Sequence, residues 1–193
     1  MEKEVEIEKL KKECIEFCKK SPLYKDGTFL VFGEGSLNAD IMLVGEAPGY
    51  NESITGKSFC GAAGKILDEL LESVGLKREG IFITNIVKLR PPNNRNPTQE
   101  EIKSFAPFLD KQIEIINPKI ICCLGNFSTG YIMKKFNLSN KLQGISKIHG
   151  QVFSVSTLFG IIKIIPLYHP AVVTYDANMK DVLKEDFKKL IKL

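Results

Sequence analysis

Two segments combine tight loops with side chains that could hold a flat, polar ligand. Residues 45–49 (GEAPG) come directly after an apolar run, and Glu52 lies just beyond them. Glycines and a proline at such a place bring backbone N–H groups close to a ligand and can hold a carboxylate beside it. In residues 56–64 (GKSFCGAAG), small residues surround Phe59, whose ring could stack on a planar ligand. A plain βα turn and a phenylalanine packed in the core are the alternatives for these two segments.

Two later segments add an amide, basic side chains and a histidine. Asn85 lies near the end of an apolar stretch, and its amide offers both a donor and an acceptor to the edge of a base. The loop that follows is stiffened by prolines, and its basic residues suit phosphate groups. Between residues 88 and 95 it has no acid and three basic side chains: Lys88, Arg90 and Arg95. His169, on a proline-containing loop, is a candidate hydrogen-bond donor or acid. A solvated loop and a structural histidine are the alternatives.

Apolar and amphipathic stretches alternate along the chain and predict the elements that position these residues. Strands are predicted at residues 28–32, 40–44, 81–87, 119–124, 150–155 and 161–166. Helices are predicted at residues 3–19, 62–74, 98–116 and 177–192. Thr98 and Glu101 have the spacing of a capping box at the start of the third of these helices, in which Pro107 predicts a kink or short break. Asn126 is expected to cap a further helix.

Strands that alternate with helices imply a mostly parallel sheet that is covered on both faces. We therefore predict an α/β fold, a three-layer α/β/α sandwich. In such sheets, ligands bind beyond the carboxyl ends of the strands. Glu46, Asn85 and His169 all follow predicted strands, so we expect them to meet at one edge of the sheet.

The composition is that of a folded protein of one domain. The 193 residues are 44% hydrophobic and 26% charged, which excludes disorder as the dominant state. No apolar run approaches the roughly 18 residues that cross a bilayer. The net charge of +4 permits a nucleic-acid partner without requiring one. The five cysteines are an odd number and the N-terminus is charged, so we expect reduced thiols in the cytoplasm.

In their order along the chain, these motifs resemble those of the uracil-DNA glycosylase superfamily. The resemblance is strongest to family four, the bacterial and archaeal enzymes that carry an iron–sulfur cluster. It covers the chain from about residue 18 to the last helix, in five segments: GEAPG with Glu52, GKSFCGAAG, ITNIVK with RPPNNRNP, PKIICCLG and HPA. It implies one domain over residues 1–193, with an N-terminal helix at 1–20 and a central, mostly parallel four-stranded sheet.

The resemblance implies an enzyme of DNA repair. Such an enzyme flips uracil out of DNA and hydrolyses its N-glycosidic bond, which leaves an abasic site. It would act on uracil-containing DNA, away from membranes, as a monomer. A relative that binds uracil or single-stranded DNA without turnover is the alternative. A nucleotide-binding regulatory domain lacks support, because the sequence has neither a GxGxxG nor a GxxxxGK[ST] phosphate loop.

The resemblance also implies which side chains bind the base. Phe59 would stack on the extruded uracil, and Asn85 would bind its polar edge and favour uracil over cytosine. His169 would donate to a uracil carbonyl and stabilise the departing base. Asn94 would support the wall of the site.

The remaining matched residues would hold water and contact DNA. Glu46, Glu52 and the loop that contains Ala47 would line the site. Better-known uracil glycosylases have an aspartate at the position of Ala47, so another carboxylate must align the water. Glu52 is the first choice and Glu46 the second. The residues expected to contact DNA are Lys88, Arg90, Arg95, Val172 and Val173.

The sequence departs from family four at the iron–sulfur cluster. The four cysteine positions correspond to Cys18, Ser21, Leu89 and Phe105, so one thiol of four remains. Leucine and phenylalanine cannot ligate iron, and Cys14 adds only a second thiolate. We therefore predict a protein without a cluster or another metal, in which Leu89 and Phe105 fill the space by apolar packing.

Overall fold

A mostly parallel sheet forms the middle layer of the computed structural model, which describes residues 2–158 and 160–193. Its six strands are, in chain order, β1 (Glu34–Gly35), β2 (Ile41–Gly45), β3 (Phe82–Asn85), β4 (Ile120–Leu124), β5 (Phe153–Thr157) and β6 (Gly160–Leu167). They lie side by side in the order β1-β3-β2-β4-β6-β5. The four central strands are parallel, as predicted, and β1 and β5 add an antiparallel strand at each edge.

Helices flank this sheet throughout the described part of the chain. The α-helices are α1 (Glu2–Lys19), α2 (Tyr50–Thr55), α3 (Ala62–Ser73), α4 (Gln99–Ile116), α5 (Asn126–Lys135), α6 (Ile145–Ile148) and α7 (Met179–Phe187). Short 3₁₀ turns lie at Arg78–Gly80, Pro92–Asn94, Ser139–Lys141, Pro170–Thr174 and Leu190–Lys192. None of these helices is long and apolar enough to span a bilayer.

Two hydrophobic cores lie on opposite faces of the sheet. Side chains alternate between the faces along each strand, so that Met42 and Val44 enter one core while Ile41 and Leu43 enter the other. The first core packs α1, α4 and α5 against the sheet, and the second packs α3 and α7 against its other face. Every residue of β2 and β4 is buried, as expected for strands that are covered on both sides. The predicted three layers are therefore present.

Helix α4 begins where its capping signal predicts and continues through Pro107. The Thr98 hydroxyl accepts from Glu101 N at 3.2 Å, and the Glu101 carboxylate accepts from Thr98 N at 2.7 Å. The prediction of a short break at Pro107 is wrong. Proline removes one backbone hydrogen bond, and the complete burial of Phe105 and Leu109 on either side holds the helix together.

Two other local predictions are also wrong. Residues 28–32 do not form a strand, because their N–H groups bond to loops: Phe29 N donates to Ser53 O and Val31 N donates to Lys88 O. Asn126 is not the cap of α5, which begins at Asn126 itself after Gly125. The Asn126 side chain instead accepts from Ile145 N at 2.9 Å and so fixes the start of α6.

Candidate active site

A cavity of about 400 Å³ opens at the carboxyl ends of the central strands. Glu46 follows β2 directly, Asn85 is the last residue of β3, and His169 follows β6 after one residue. The structure brings together in this cavity all the residues predicted to bind uracil or act on it: Glu46, Ala47, Glu52, Phe59, Asn85, Asn94 and His169. The expected convergence at one edge of the sheet is therefore present.

Close packing at the base of the cavity depends on two glycines. A Cβ atom on Gly45 would collide with Asn85 Oδ1 and come within 2.8 Å of Phe59 Cζ. A Cβ atom on Gly64 would collide with the backbone of Phe59. Phe59 itself has φ of +49°, a left-handed conformation that a non-glycine residue adopts only when its surroundings enforce it. The ring is buried and also lines the cavity. Phe59 is therefore packed in the core and also available to stack on a planar ligand.

Glu52 holds the loop that carries Phe59. Its Oε1 atom accepts from Cys60 N and from Gly61 N, both at 2.9 Å. Gly61 precedes α3, so this carboxylate also lies at the positive end of a helix. One oxygen of Glu52 is therefore committed to the backbone and is not free to align a water molecule.

The carboxyl group of Glu46 has a different environment. It lies between the cavity and the end of β2 and is partly buried. Burial raises the pKa of Glu46 to about 7, so that near neutral pH this group exchanges its proton readily. A carboxyl group with such a pKa suits a general base.

His169 is fixed as a neutral donor. Its Nδ1 atom accepts from Ala171 N at 3.2 Å, so the ring proton is on Nε2. Burial lowers the pKa of His169 to about 4, which keeps the ring uncharged at neutral pH. The ring stacks on Phe59 with 5.6 Å between centroids and 29° between planes. The Nε2–H group is left to donate to a ligand.

Asn85 carries a buried acceptor without a donor. Its side chain is 2% exposed, and Oδ1 has no hydrogen-bond partner among the residues that the structure describes. Buried polar atoms are nearly always paired, and leaving one unpaired costs about 1–3 kcal/mol. Because Asn85 also lines the cavity, this atom is available to accept a hydrogen bond from a bound ligand.

The prediction that Lys88 contacts DNA is wrong. Its side chain is 0% exposed, and its ammonium group donates to Thr84 Oγ1, Asn85 O and Gln112 Oε1 at 2.6–2.7 Å. The chain turns after β3, so that Lys88 points into the first core while Arg90 points outward. Position in a basic loop therefore did not indicate which side chain reaches solvent.

The other residues predicted to contact DNA lie at or near the surface. Arg90 lies over the ring of Tyr50, 5.0 Å from its centroid, and donates to Asn94 at 2.6 Å. Arg95 is 43% exposed and makes a bidentate ion pair with Glu101. The last two, on the Pro170–Thr174 turn, are partly buried against the second core: Val172 and Val173.

Sequence reasoning missed one side chain that lines the cavity and one exposed ring beside the Pro170–Thr174 turn. Asn96 lines the cavity together with Asn94. Its position in the same NNRNP segment could have indicated this. Tyr175, just after the Pro170–Thr174 turn, is 90% exposed. Its exposure could not be inferred from the sequence, because a tyrosine beside an apolar turn is equally compatible with burial.

The residues at the four cluster positions do not fit an iron–sulfur cluster. Leu89 and Phe105 are buried in the first core together with Cys14 and Cys18, and neither offers a donor atom. The Cys14 and Cys18 thiols are hydrogen-bonded to each other in this core, and two thiols are only half of the four ligands that such a cluster requires. Ser21 supplies a hydroxyl and not a thiol. Nowhere in residues 2–158 and 160–193 do three His, Cys, Asp or Glu side chains gather as metal ligands would.

Comparison with known proteins agrees with this geometry. The family model described as the uracil DNA glycosylase superfamily matches residues 32–191. A type-4 uracil-DNA glycosylase of Sulfurisphaera tokodaii is 46% identical over 188 residues, which cover 97% of this chain and 84% of that protein. The type-4 uracil-DNA glycosylase of Saccharolobus solfataricus is 47% identical over 174 residues, 90% of this chain and 80% of the relative.

A third relative has a similar identity and coverage. The type-4 uracil-DNA glycosylase of Archaeoglobus fulgidus is 44% identical over 173 residues, which cover 90% of this chain and 86% of the relative. The matches span the strand ends that carry Glu46, Asn85 and His169. The chain belongs to the uracil-DNA glycosylase superfamily.

Proposed function

We propose that this chain is a uracil-DNA glycosylase that removes uracil from DNA and leaves an abasic site. The observation that carries the proposal is the cavity in which Phe59, Asn85 and His169 meet beside Glu46. The relatives that match at 44–47% identity are all described as type-4 uracil-DNA glycosylases. An enzyme of this class hydrolyses the bond between the base and C1′ of the sugar, and so begins the repair of uracil in DNA.

The free Oδ1 atom of Asn85 explains the choice of uracil over cytosine. Uracil has a proton on N3 and can donate it to this buried acceptor, while N3 of cytosine is itself an acceptor. With cytosine, two acceptors would face each other and neither would be satisfied. The Phe59 ring, stacked on His169, offers a flat surface for the extruded base.

His169 stabilises the departing base in this proposal. As the C1′–N1 bond breaks, its electron pair goes to the base, and negative charge develops on the uracil carbonyl oxygens. The neutral imidazole donates its Nε2–H to one of them. A preorganised donor of this kind contributes about 3–4 kcal/mol to the transition state. Water adds its oxygen to C1′ and gives up a proton, and the base takes a proton to leave as uracil.

The geometry favours Glu46 over Glu52 as the group that aligns the water. One oxygen of Glu52 is bound to two backbone N–H groups, so its role here is to hold the Phe59 loop. Glu46 borders the cavity with a pKa near neutrality and accepts the water proton. This assignment reverses the order of preference that the resemblance suggested.

The proposal extends to DNA contacts, assembly and location. Arg90 and Arg95 are the proposed phosphate contacts, and the turn with Val172 and Val173 faces the duplex. We propose one domain over residues 1–193 and a monomer; the support is that the cavity residues proposed to bind the base all come from this chain. We place it in the cytoplasm, where its five cysteines would stay reduced.

The activity is tested with oligonucleotides that contain one uracil, single-stranded or paired with guanine, followed by alkali. We expect strand breaks at the uracil position. The same oligonucleotides with cytosine at that position are the control and should stay intact. Binding of the uracil strand without breaks would contradict the proposal and favour the non-catalytic relative.

The His169→Ala variant should lower the single-turnover rate about 100- to 1,000-fold, because it removes the donor to the leaving base.

The pH dependence of excision tests the assignment of Glu46. The acid must lose its proton to act as a base, and its raised pKa is about 7. The single-turnover rate of the unmodified chain should therefore rise as the pH increases through about 7. Glu46→Gln should be slower and lack this rise. The matched variant Glu52→Gln should also be slower but keep it, and a rise that persists in Glu46→Gln would refute the assignment.

We also propose that the chain works without an iron–sulfur cluster. Protein purified without oxygen should be colourless, with no broad absorption at about 400 nm and far less than stoichiometric iron. Treatment with iron and sulfide should not change this. A variant that restores all four thiols (Ser21→Cys, Leu89→Cys and Phe105→Cys together) serves as the positive control. Stoichiometric iron with visible absorption in the unmodified chain would show that the proposal is wrong.

A further inference from the structure

Lys88 is a buried cation that the mechanism above does not use. Its three N–H groups have three acceptors: Gln112 Oε1 at 2.6 Å, and Thr84 Oγ1 and Asn85 O at 2.7 Å each. The Nζ atom also lies 5.9 Å from the centroid of the Phe32 ring, within cation–π range. The side chain therefore sits in a cage built from β3, α4 and the segment before β1.

The cage contains no opposite charge. In residues 2–158 and 160–193, no carboxylate acts on the charge of Lys88. The titratable groups that face it are the Cys14 and Cys18 thiols of α1. Burial lowers the pKa of Lys88 to about 7, while the three oxygen acceptors favour its protonated form. A buried amine without a partner anion is expensive, which makes a purely structural role a poor explanation.

The partners of Lys88 are themselves held in one orientation. Gln112 Nε2 donates to Phe32 O at 2.8 Å, which turns Gln112 Oε1 toward the lysine. The Thr84 hydroxyl lies 3.0 Å from the same Phe32 carbonyl and can donate to it, which leaves its lone pairs for Lys88. Lys88 is thus the donor in every one of its hydrogen bonds.

One of these bonds reaches the backbone of a residue in the site. Asn85 is the last residue of β3, at the point where the regular strand ends. Its carbonyl group accepts from Lys88, which fixes the orientation of that peptide group. The direction of the Asn85 side chain follows from its backbone, and Oδ1, the proposed acceptor for uracil, has no hydrogen-bond partner among residues 2–158 and 160–193.

We propose that Lys88 is a positioning residue that aims the Asn85 amide at the base. Through Thr84 and Gln112 it joins the end of β3 to α4, and through the Asn85 carbonyl it sets the backbone from which the amide projects. The inference deepens the proposed function and rests on it. It predicts that Lys88 affects excision only through Asn85.

A double-mutant cycle tests this coupling. Lys88→Met keeps the length of the side chain and removes its hydrogen bonds, and we expect the single-turnover rate on single-stranded uracil DNA to fall about 10- to 100-fold. In an Asn85→Ala background the same change should lower the rate less than threefold, because the amide that Lys88 positions is gone. The rate is measured at saturating enzyme, so a smaller folded fraction does not imitate the effect.

Leu109→Ala is the matched control, because it removes a fully buried side chain of the first core that makes no hydrogen bond to Lys88 or Asn85. It should change the single-turnover rate little in either background. Equal losses from Lys88→Met with and without Asn85, or no loss at all, would overturn the inference. If Lys88→Met does not fold at the assay temperature, Thr84→Val replaces it in the same cycle with the same criteria. If the unmodified chain itself does not excise uracil, the proposed function fails and not this inference alone.

Discussion

The candidate site depends on one buried atom, the side-chain oxygen Oδ1 of Asn85. The atom is buried at the base of a cavity, at the end of a central strand, and it has no donor among the described residues. A folded protein keeps such an atom only when the rest of the fold offsets about 1–3 kcal/mol. A ligand with a ring N–H group in the plane of the amide satisfies it: uracil carries a proton on N3, while N3 of cytosine is an acceptor.

The surrounding structure keeps this acceptor in place. Gly45 has no side chain, so Asn85 and the Phe59 ring can approach the backbone of β2 closely. Glu52 ties the Phe59 loop to the start of α3, and Gly64 lets that loop pack on the helix. Each of these contacts joins a loop of the candidate site to a regular element, which is how a site is preorganised.

The fold was largely predictable because its signals are local. The apolar runs that became β2 and β4 are buried on both faces, and Thr98 with Glu101 forms the capping box that its spacing predicts. The segment 28–32 was not predictable, since its N–H groups bond to Ser53 O and Lys88 O, which are distant in sequence. An apolar segment that pairs with loops has the same composition as one that pairs with a strand.

The sequence predicted which residues form the candidate site, but it did not predict the position and contacts of each one. Strand ends meet at one edge of a parallel sheet, so the convergence of Asn85 and His169 follows from topology. The distinction between Glu46 and Glu52 depends on which backbone N–H groups each can reach, and Lys88 and Arg90 differ only in the direction taken by the chain after β3. Such directions are set by three-dimensional packing and leave no trace in residue spacing.

The most direct measurement compares excision of uracil and of N3-methyluracil from the same single-stranded oligonucleotide, in the unmodified chain and in Asn85→Ala. The methyl group removes the proton that Asn85 Oδ1 is proposed to accept. We expect the unmodified chain to prefer uracil by at least about 100-fold in single-turnover rate, and this preference to fall by at least tenfold in Asn85→Ala. An equal preference in the two proteins would contradict the account, because discrimination would then not depend on the unpaired oxygen.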